Sequence, residues 1–115
     1  MSEIRRGVLW WVDWSPARGS EQSGRRPALV VQTDAGNGNV RYPNTIVVTV
    51  SSQGRPVPTH VPLQATATSG LKNTSYAKCE QVMTISKERL QSKIGRVSQT
   101  ELDHIFQALL QVLGS

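Results

Sequence analysis

Arg26 is the residue of this chain that its neighbours best equip for chemistry. It stands in Gly24-Arg25-Arg26-Pro27-Ala28-Leu29-Val30-Val31, where a polar loop runs into an apolar stretch. A proline pushes the residue before it toward extended backbone. The Arg26 guanidinium is therefore expected at the mouth of a strand, with Pro27 fixing the entry angle. A guanidinium held there offers two parallel donors to a phosphate. The competing reading is an ion pair with Asp13 or Glu80 that only locks the fold.

Other chemistry-bearing residues are scattered. Ser51 and Ser52 follow the β-branched run Thr45-Ile46-Val47-Val48-Thr49-Val50, and Glu21 sits in the polar loop before Arg26. Lys78 and Glu80 lie two residues apart, on one face of a further strand. His60 and His104 are far apart, Cys79 is the only cysteine, and no metal-ligand spacing appears. Gly19 to Gly24 lacks the Lys-Ser/Thr of a phosphate-binding loop, and there is no nucleophile elbow. An enzyme built from these residues needs neither a metal nor a protein nucleophile.

RNA cleavage fits that restriction, because the 2′-hydroxyl beside each phosphodiester is itself a nucleophile. The protein must orient it in line, stabilise charge gathering at phosphorus and assist proton transfer. Arg26 can supply paired donors, Ser51 or Ser52 a hydroxyl, Glu21 or Glu80 a carboxylate and Lys78 a second cation.

The elements that must position these groups read as mostly antiparallel β with a closing helix. Residues 8–14 (Val-Leu-Trp-Trp-Val-Asp-Trp), 28–32, 45–51 and 75–85 read as strands. In the last, Ala77, Cys79, Gln81 and Met83 alternate with Lys78, Glu80, Val82 and Thr84. Residues 15–26 form a long polar loop and 34–44 a turn-rich link. Residues 55–63 hold three prolines and can form only an edge strand or extended loop. Residues 86–90 fit a helical turn and 94–97 a short strand. Ser98 and Glu101 have capping-box spacing. Leu102, Ile105, Phe106, Leu109, Leu110 and Leu113 then recur at helical period, and Gly114 marks the stop. Short strands with turn-rich links suggest a small curved barrel.

At 115 residues the chain makes one domain, residues 1–115. Its 13 basic and 8 acidic residues give a net charge of +5, which favours a polyanionic partner. No apolar run approaches the roughly 18 residues of a membrane span. A lone cysteine and a charged start without an apolar core suit the cytoplasm.

In their order along the chain, these pieces resemble the MazF/PemK (Kid-like) toxins. Gly7 with Trp11-Val12-Asp13-Trp14, Gly19-Ser20-Glu21-Gln22 and the Arg25-Arg26-Pro27 segment are similar to the opening half of that family. Ser51-Ser52-Gln53 resembles the segment that usually begins with threonine. Cys79-Glu80-Gln81-Val82-Met83-Thr84-Ile85, the Ser86-Lys87-Glu88-Arg89-Leu90 run and Lys93-Ile94-Gly95-Arg96-Val97 resemble the later signature. The resemblance covers nearly the whole chain.

It implies an SH3-like barrel of the MazF/CcdB type and a homodimer. It implies a ribosome-independent, metal-independent endoribonuclease without cofactors, which cuts single-stranded mRNA at short sequences. The products would carry a 2′,3′-cyclic phosphate and a 5′-hydroxyl, and a cognate MazE-like antitoxin would block the site. The family's catalytic arginine falls on Arg26 and its catalytic threonine on Ser51. Serine keeps the hydroxyl and loses the methyl that fixes its rotamer. An aspartate and an arginine implicated in Kid-like members fall on Glu80, an expected catalytic residue, and on Lys78, where lysine lacks the planar fork. Glu21 matches a loop carboxylate. Arg25, Gln22, Ser52, Lys78 and Gln81 are the expected RNA contacts. Two alternatives are a gyrase-poisoning toxin of similar fold, which relies on a tryptophan-bearing tail where this chain ends Leu113-Gly114-Ser115, and a non-catalytic RNA-binding barrel.

Overall fold

The computed structural model describes residues 3–14 and 24–114. The loop candidates Glu21 and Gln22 lie outside the described residues. The elements are β1 (Val8–Asp13), β2 (Arg25–Val30), α1 (Asp34–Asn37), β3 (Asn44–Ser51), β4 (His60–Leu63), β5 (Ser75–Ser86), a 3-10 turn (Lys87–Arg89), β6 (Leu90–Arg96) and α2 (Gln99–Leu113). The strands form one antiparallel sheet in the order β4-β5-β3-β2-β1-β6.

Period-two alternation gives this sheet two apolar faces. Leu29, Val48 and Val50 point toward Leu9, Leu63, Cys79 and the helix residues Ile105, Ala108 and Leu109. Their neighbours Ala28, Val30 and Val47 point the other way, toward Val12, Ile85 and Leu90, with Trp10 and Trp14 packed alongside. Leu9, Leu29 and Ile105 are fully buried. Each such side chain contributes about 1.5–3 kcal/mol of apolar burial.

The helix starts where its capping box predicts. Ser98 Oγ accepts from the Glu101 amide at 3.1 Å, and Glu101 Oε1 accepts from the Ser98 amide at 2.9 Å. Glu101 Oε2 also accepts from the Gln64 amide at 2.8 Å, tying α2 to the segment after β4.

That segment closes the curved sheet. The Arg96 amide donates to Thr68 O at 3.0 Å, so residues just beyond edge strand β4 meet the opposite edge, β6. The approach demands glycine on both sides. A Cβ on Gly70 would lie 2.2 Å from Ile94 O, and one on Gly95 would lie 2.3 Å from Ser69 O.

Several expectations are corrected. The two arginines do not end a loop: Arg25 and Arg26 lie within β2, opposite Asp13 and Val12 of β1. Pro27 is tolerated inside β2 because the β3 register begins only at Ala28. β2 ends at Val30 rather than continuing to residue 32. The 34–44 link holds the short helix α1, and only His60–Leu63 of the proline-bearing 55–63 stretch is strand. The expected face alternation of β5 breaks. Lys78 pairs with Thr49 but Val82 pairs with Val48, so a bulge at residues 79–81 resets the phase. Val82, not Gln81, then packs on the Cys79 face. β6 runs seven residues instead of four, because it pairs with β1 through polar Ser92 and Lys93, which carry no apolar signal, and on to Leu90. Leu110 and Leu113 are exposed, while Leu109 and Val112 of the same turns pack on the core.

Candidate active site

The β2–β3 pairing begins at Ala28–Thr49, so Arg26 just before it and Ser51 just after it stand at the same end of the two strands. Both side chains line one open groove of about 810 Å³. β1 contributes Trp11, β6 contributes Lys93 and Ile94, and the segment between β4 and β5 contributes Leu71, Lys72 and Asn73. Ser52 and Gln53 complete the wall after Ser51. The groove therefore forms where the sheet closes, between elements far apart in sequence.

Arg26 is exposed and backbone-paired to Val12. Among the described residues it has no carboxylate partner: Asp13 is aligned with Arg25, and Glu80 with His60. The structural ion pair weighed for Arg26 is not formed with either. Ser51 Oγ accepts from the Gln53 amide at 3.1 Å, which leaves its own proton available to an incoming acceptor. Arg25 turns toward β6, where Nη2 donates to Ser92 Oγ at 3.0 Å. Its guanidinium also stands over the Trp11 ring, 5.0 Å from the centroid, a cation–π contact beside the groove.

No carboxylate lines the groove among the described residues, whereas Arg26, Lys72 and Lys93 all do. Three cations on concave walls concentrate positive potential and favour a polyanion. Among the described residues, no three of His, Cys, Asp and Glu converge as a metal site.

Lys78, Glu80 and Gln81 are not among the groove-lining residues. Lys78 is opposite Thr49 on one side and His60 on the other, two residues along the strands from the Ser51–Tyr76 pair. Gln81 Oε1 accepts from the Thr49 hydroxyl. Glu80 Oε2 lies 2.7 Å from His60 Nε2. Partial burial acts to raise the Glu80 pKa, but hydrogen bonds from His60, its own amide and Thr59 outweigh it and lower the value. Glu80 is thus held ionised.

The structure brings Arg26, Ser51 and Ser52 together, with Arg25 at the margin. It places Glu80, Lys78 and Gln81 on the neighbouring part of the sheet. Lys72 and Lys93 were not singled out from sequence. Each is an isolated lysine in a polar stretch, and only sheet closure brings them to Arg26.

A family model described as "PemK-like, MazF-like toxin of type II toxin-antitoxin system" matches residues 5–113. The chain is 43% identical over 110 residues to endoribonuclease MazF9 of Mycobacterium tuberculosis (strain ATCC 25618 / H37Rv), covering 92% of each chain. It is 38% identical over 109 residues to endoribonuclease EndoA of Bacillus subtilis (strain 168), covering 92% of this chain and 90% of that one. A crystal structure of MazE–MazF from Deinococcus radiodurans superposes with a TM-score of 0.77 at 26% identity, covering 96% of both chains.

Proposed function

We propose that this chain, which belongs to the PemK-like, MazF-like toxins of type II toxin–antitoxin systems, is an endoribonuclease that cuts single-stranded RNA by attack of the RNA's own 2′-hydroxyl. The placement of Arg26 and Ser51 on the walls of one groove lined by cations is the observation that carries this reading. In the step, the 2′-oxygen bonds to phosphorus and the bond from phosphorus to the 5′-oxygen breaks. The 2′-hydroxyl proton leaves to a base and the 5′-oxygen takes up a proton, giving a 2′,3′-cyclic phosphate and a 5′-hydroxyl.

Arg26 donates to the non-bridging oxygens as charge accumulates on them. Preorganised donors of this kind typically contribute about 10²–10³ in rate. The Ser51 hydroxyl donates to one of the same oxygens. Lys72 and Lys93 hold flanking phosphates, Trp11 offers a ring to a base, and Ser52 and Gln53 contact the strand. Arg25 grips the backbone at the rim. Glu21 and Gln22, which precede β2 in the sequence, are proposed for proton transfer and RNA contact.

The step needs no metal ion, since the charge at phosphorus is met by guanidinium and ammonium groups. The active form is a homodimer in the cytoplasm. A cognate antitoxin controls it by covering the groove; the MazE–MazF structure of similar fold supports such a partner. The test is to incubate purified protein with long single-stranded RNA in EDTA and analyse the new ends. Cyclic phosphate and 5′-hydroxyl ends are expected. Cutting only on addition of a divalent ion, or 5′-phosphate ends, would overturn the mechanism.

A further inference from the structure

We infer that His60 and Glu80 form a positioning clamp that fixes residues 52–59 against the groove and so sets which RNA sequence is cut. The inference rests on the proposed nuclease function.

The loop from β3 to β4 begins at Ser52 and Gln53, which line the groove, and ends at His60, the first residue of β4. His60 reaches back across it. The Arg55 amide donates to His60 Nδ1 at 3.0 Å. An imidazole nitrogen that accepts a hydrogen bond carries no proton, so the ring proton sits on Nε2. From there it donates to Glu80 Oε2 at 2.7 Å. The carboxylate thereby fixes both the tautomer and the ring orientation that the Arg55 amide requires. The His60 side chain is 10% exposed and that of Glu80 41%, so the ring is enclosed and the carboxylate reaches it from the rim.

Other contacts hold the same loop. The Cys79 amide donates to Thr59 O at 2.9 Å, and the His60 amide donates to Val57 O at 3.0 Å. Gly54 lies flat on the Tyr76 ring, where a Cβ would come within 2.3 Å of Cγ. The Gln53 amide donates to Ser51 Oγ at 3.1 Å. A continuous path therefore runs from Glu80 through His60, Arg55 and Gln53 to the hydroxyl proposed to meet the phosphate. Glu80 acts along that path, because it does not line the groove itself.

Base recognition in single-stranded RNA depends on loop groups held at defined positions. A loosened 52–59 loop should relax sequence choice more than it slows the chemical step. The experiment compares wild type with His60→Ala, His60→Gln, Glu80→Ala and Glu80→Gln, with Arg26→Ala as the catalytic reference. Two quantities are read: hydrogen exchange at the Arg55 amide, and the distribution of cut sites on a long mixed RNA.

His60→Ala and Glu80→Ala should speed exchange at Arg55 by about tenfold, the effect of losing one hydrogen bond. Both should spread cutting over sequences the wild type spares. His60→Gln carries an acceptor and a donor on one planar amide, and Glu80→Gln keeps an acceptor for Nε2. Both should restore much of the protection and selectivity. Arg26→Ala should abolish cutting with Arg55 exchange unchanged. Unchanged Arg55 exchange in Glu80→Ala would overturn the clamp. So would a loss in Glu80→Gln as deep as that in Arg26→Ala, since Glu80 would then act on the substrate directly. A wild type that cuts no RNA would sink the nuclease reading while the exchange measurement still judged the clamp.

Discussion

Replacing Gly95 with alanine should open the seam that closes the sheet. The added Cβ would stand 2.3 Å from Ser69 O, 2.4 Å from Thr68 O and 2.5 Å from Ser69 C. All three are backbone atoms of the facing segment, so no side chain can swing away. The segment at residues 68–70 and β6 must separate by about 1 Å to reach ordinary contact. That separation strains the hydrogen bond from the Arg96 amide to Thr68 O. Overpacking of this kind costs about 1–3 kcal/mol, and the hydrogen bond adds about 1 kcal/mol. The sum, roughly 2–4 kcal/mol, is a large share of the 5–15 kcal/mol that holds a typical domain folded. At roughly 4–6 °C per kcal/mol for a chain of this length, Tm should fall by about 10–20 °C.

The damage should also reach the site. Lys93 and Ile94 precede Gly95, while Leu71, Lys72 and Asn73 follow Gly70, and all five line the groove. A displaced seam moves two of the three cations away from Arg26, so KM for RNA should rise in the fraction that remains folded. Gly38→Ala is the control: its φ is −85°, and a Cβ there would meet only Asp34 O at 3.3 Å. Thermal melts of the two variants and RNA titrations below their Tm are the assay. A Gly95→Ala protein that melts within about 3 °C of wild type, or a Gly38→Ala protein that falls as far, would refute the reasoning.

Ser51→Ala should slow single-turnover cleavage by about 10²-fold, the usual effect of removing one oxyanion donor, whereas Ser51→Thr should stay within a few fold of wild type. Equal rates for all three would remove the Ser51 hydroxyl from the reaction. Cys79 is buried between β5 and α2, with Sγ 3.9 Å from Ile105 O. Burial first, and the nearby Glu80 charge second, raise its pKa from 9.0 to about 11. The folded state thus keeps a proton that the unfolded chain releases. The stability this provides is whole below the unfolded value of 9.0 and is lost as pH rises from there toward about 11. Wild type should therefore lose denaturant stability more steeply than Cys79→Ala between about pH 8 and pH 10.5. Parallel profiles would show that the thiol titrates alike in both states.

The parts of this fold that local pattern controls were legible. Ser98, Glu101 and the spacing of Ile105 and Leu109 mark α2, because a cap and a helical face are written within a few residues of each other. The β-branched run before Ser51 marks β3 for the same reason. The sequence pattern sets the arginines of β2 in a loop, since Pro27 signals a break wherever its missing amide would matter. Only the β1–β2 register reaches past Ala28, so here that amide is not required. The bulge at residues 79–81 shows only in the pairing of β5 with β3, and no residue there announces it. Lys72 and Lys93 reach Arg26 only because Gly70 and Gly95 let two sheet edges meet. The link between Glu80 and His60 spans 20 residues and depends on the pairing of β4 with β5. Contacts made by sheet closure leave no periodic trace in the sequence.

The central claim is that Arg26 stabilises charge at a cleaving phosphodiester, and single-turnover cleavage of RNA in EDTA by wild type, Arg26→Lys and Arg26→Ala tests it most directly. Arg26 is exposed and its backbone pairing does not depend on the side chain, so all three should fold alike. Wild type should cut. Arg26→Lys, with charge but no planar fork, should be slower by about 10²-fold. Arg26→Ala should bind RNA and leave it intact. Cleavage by Arg26→Ala within tenfold of wild type would contradict the account.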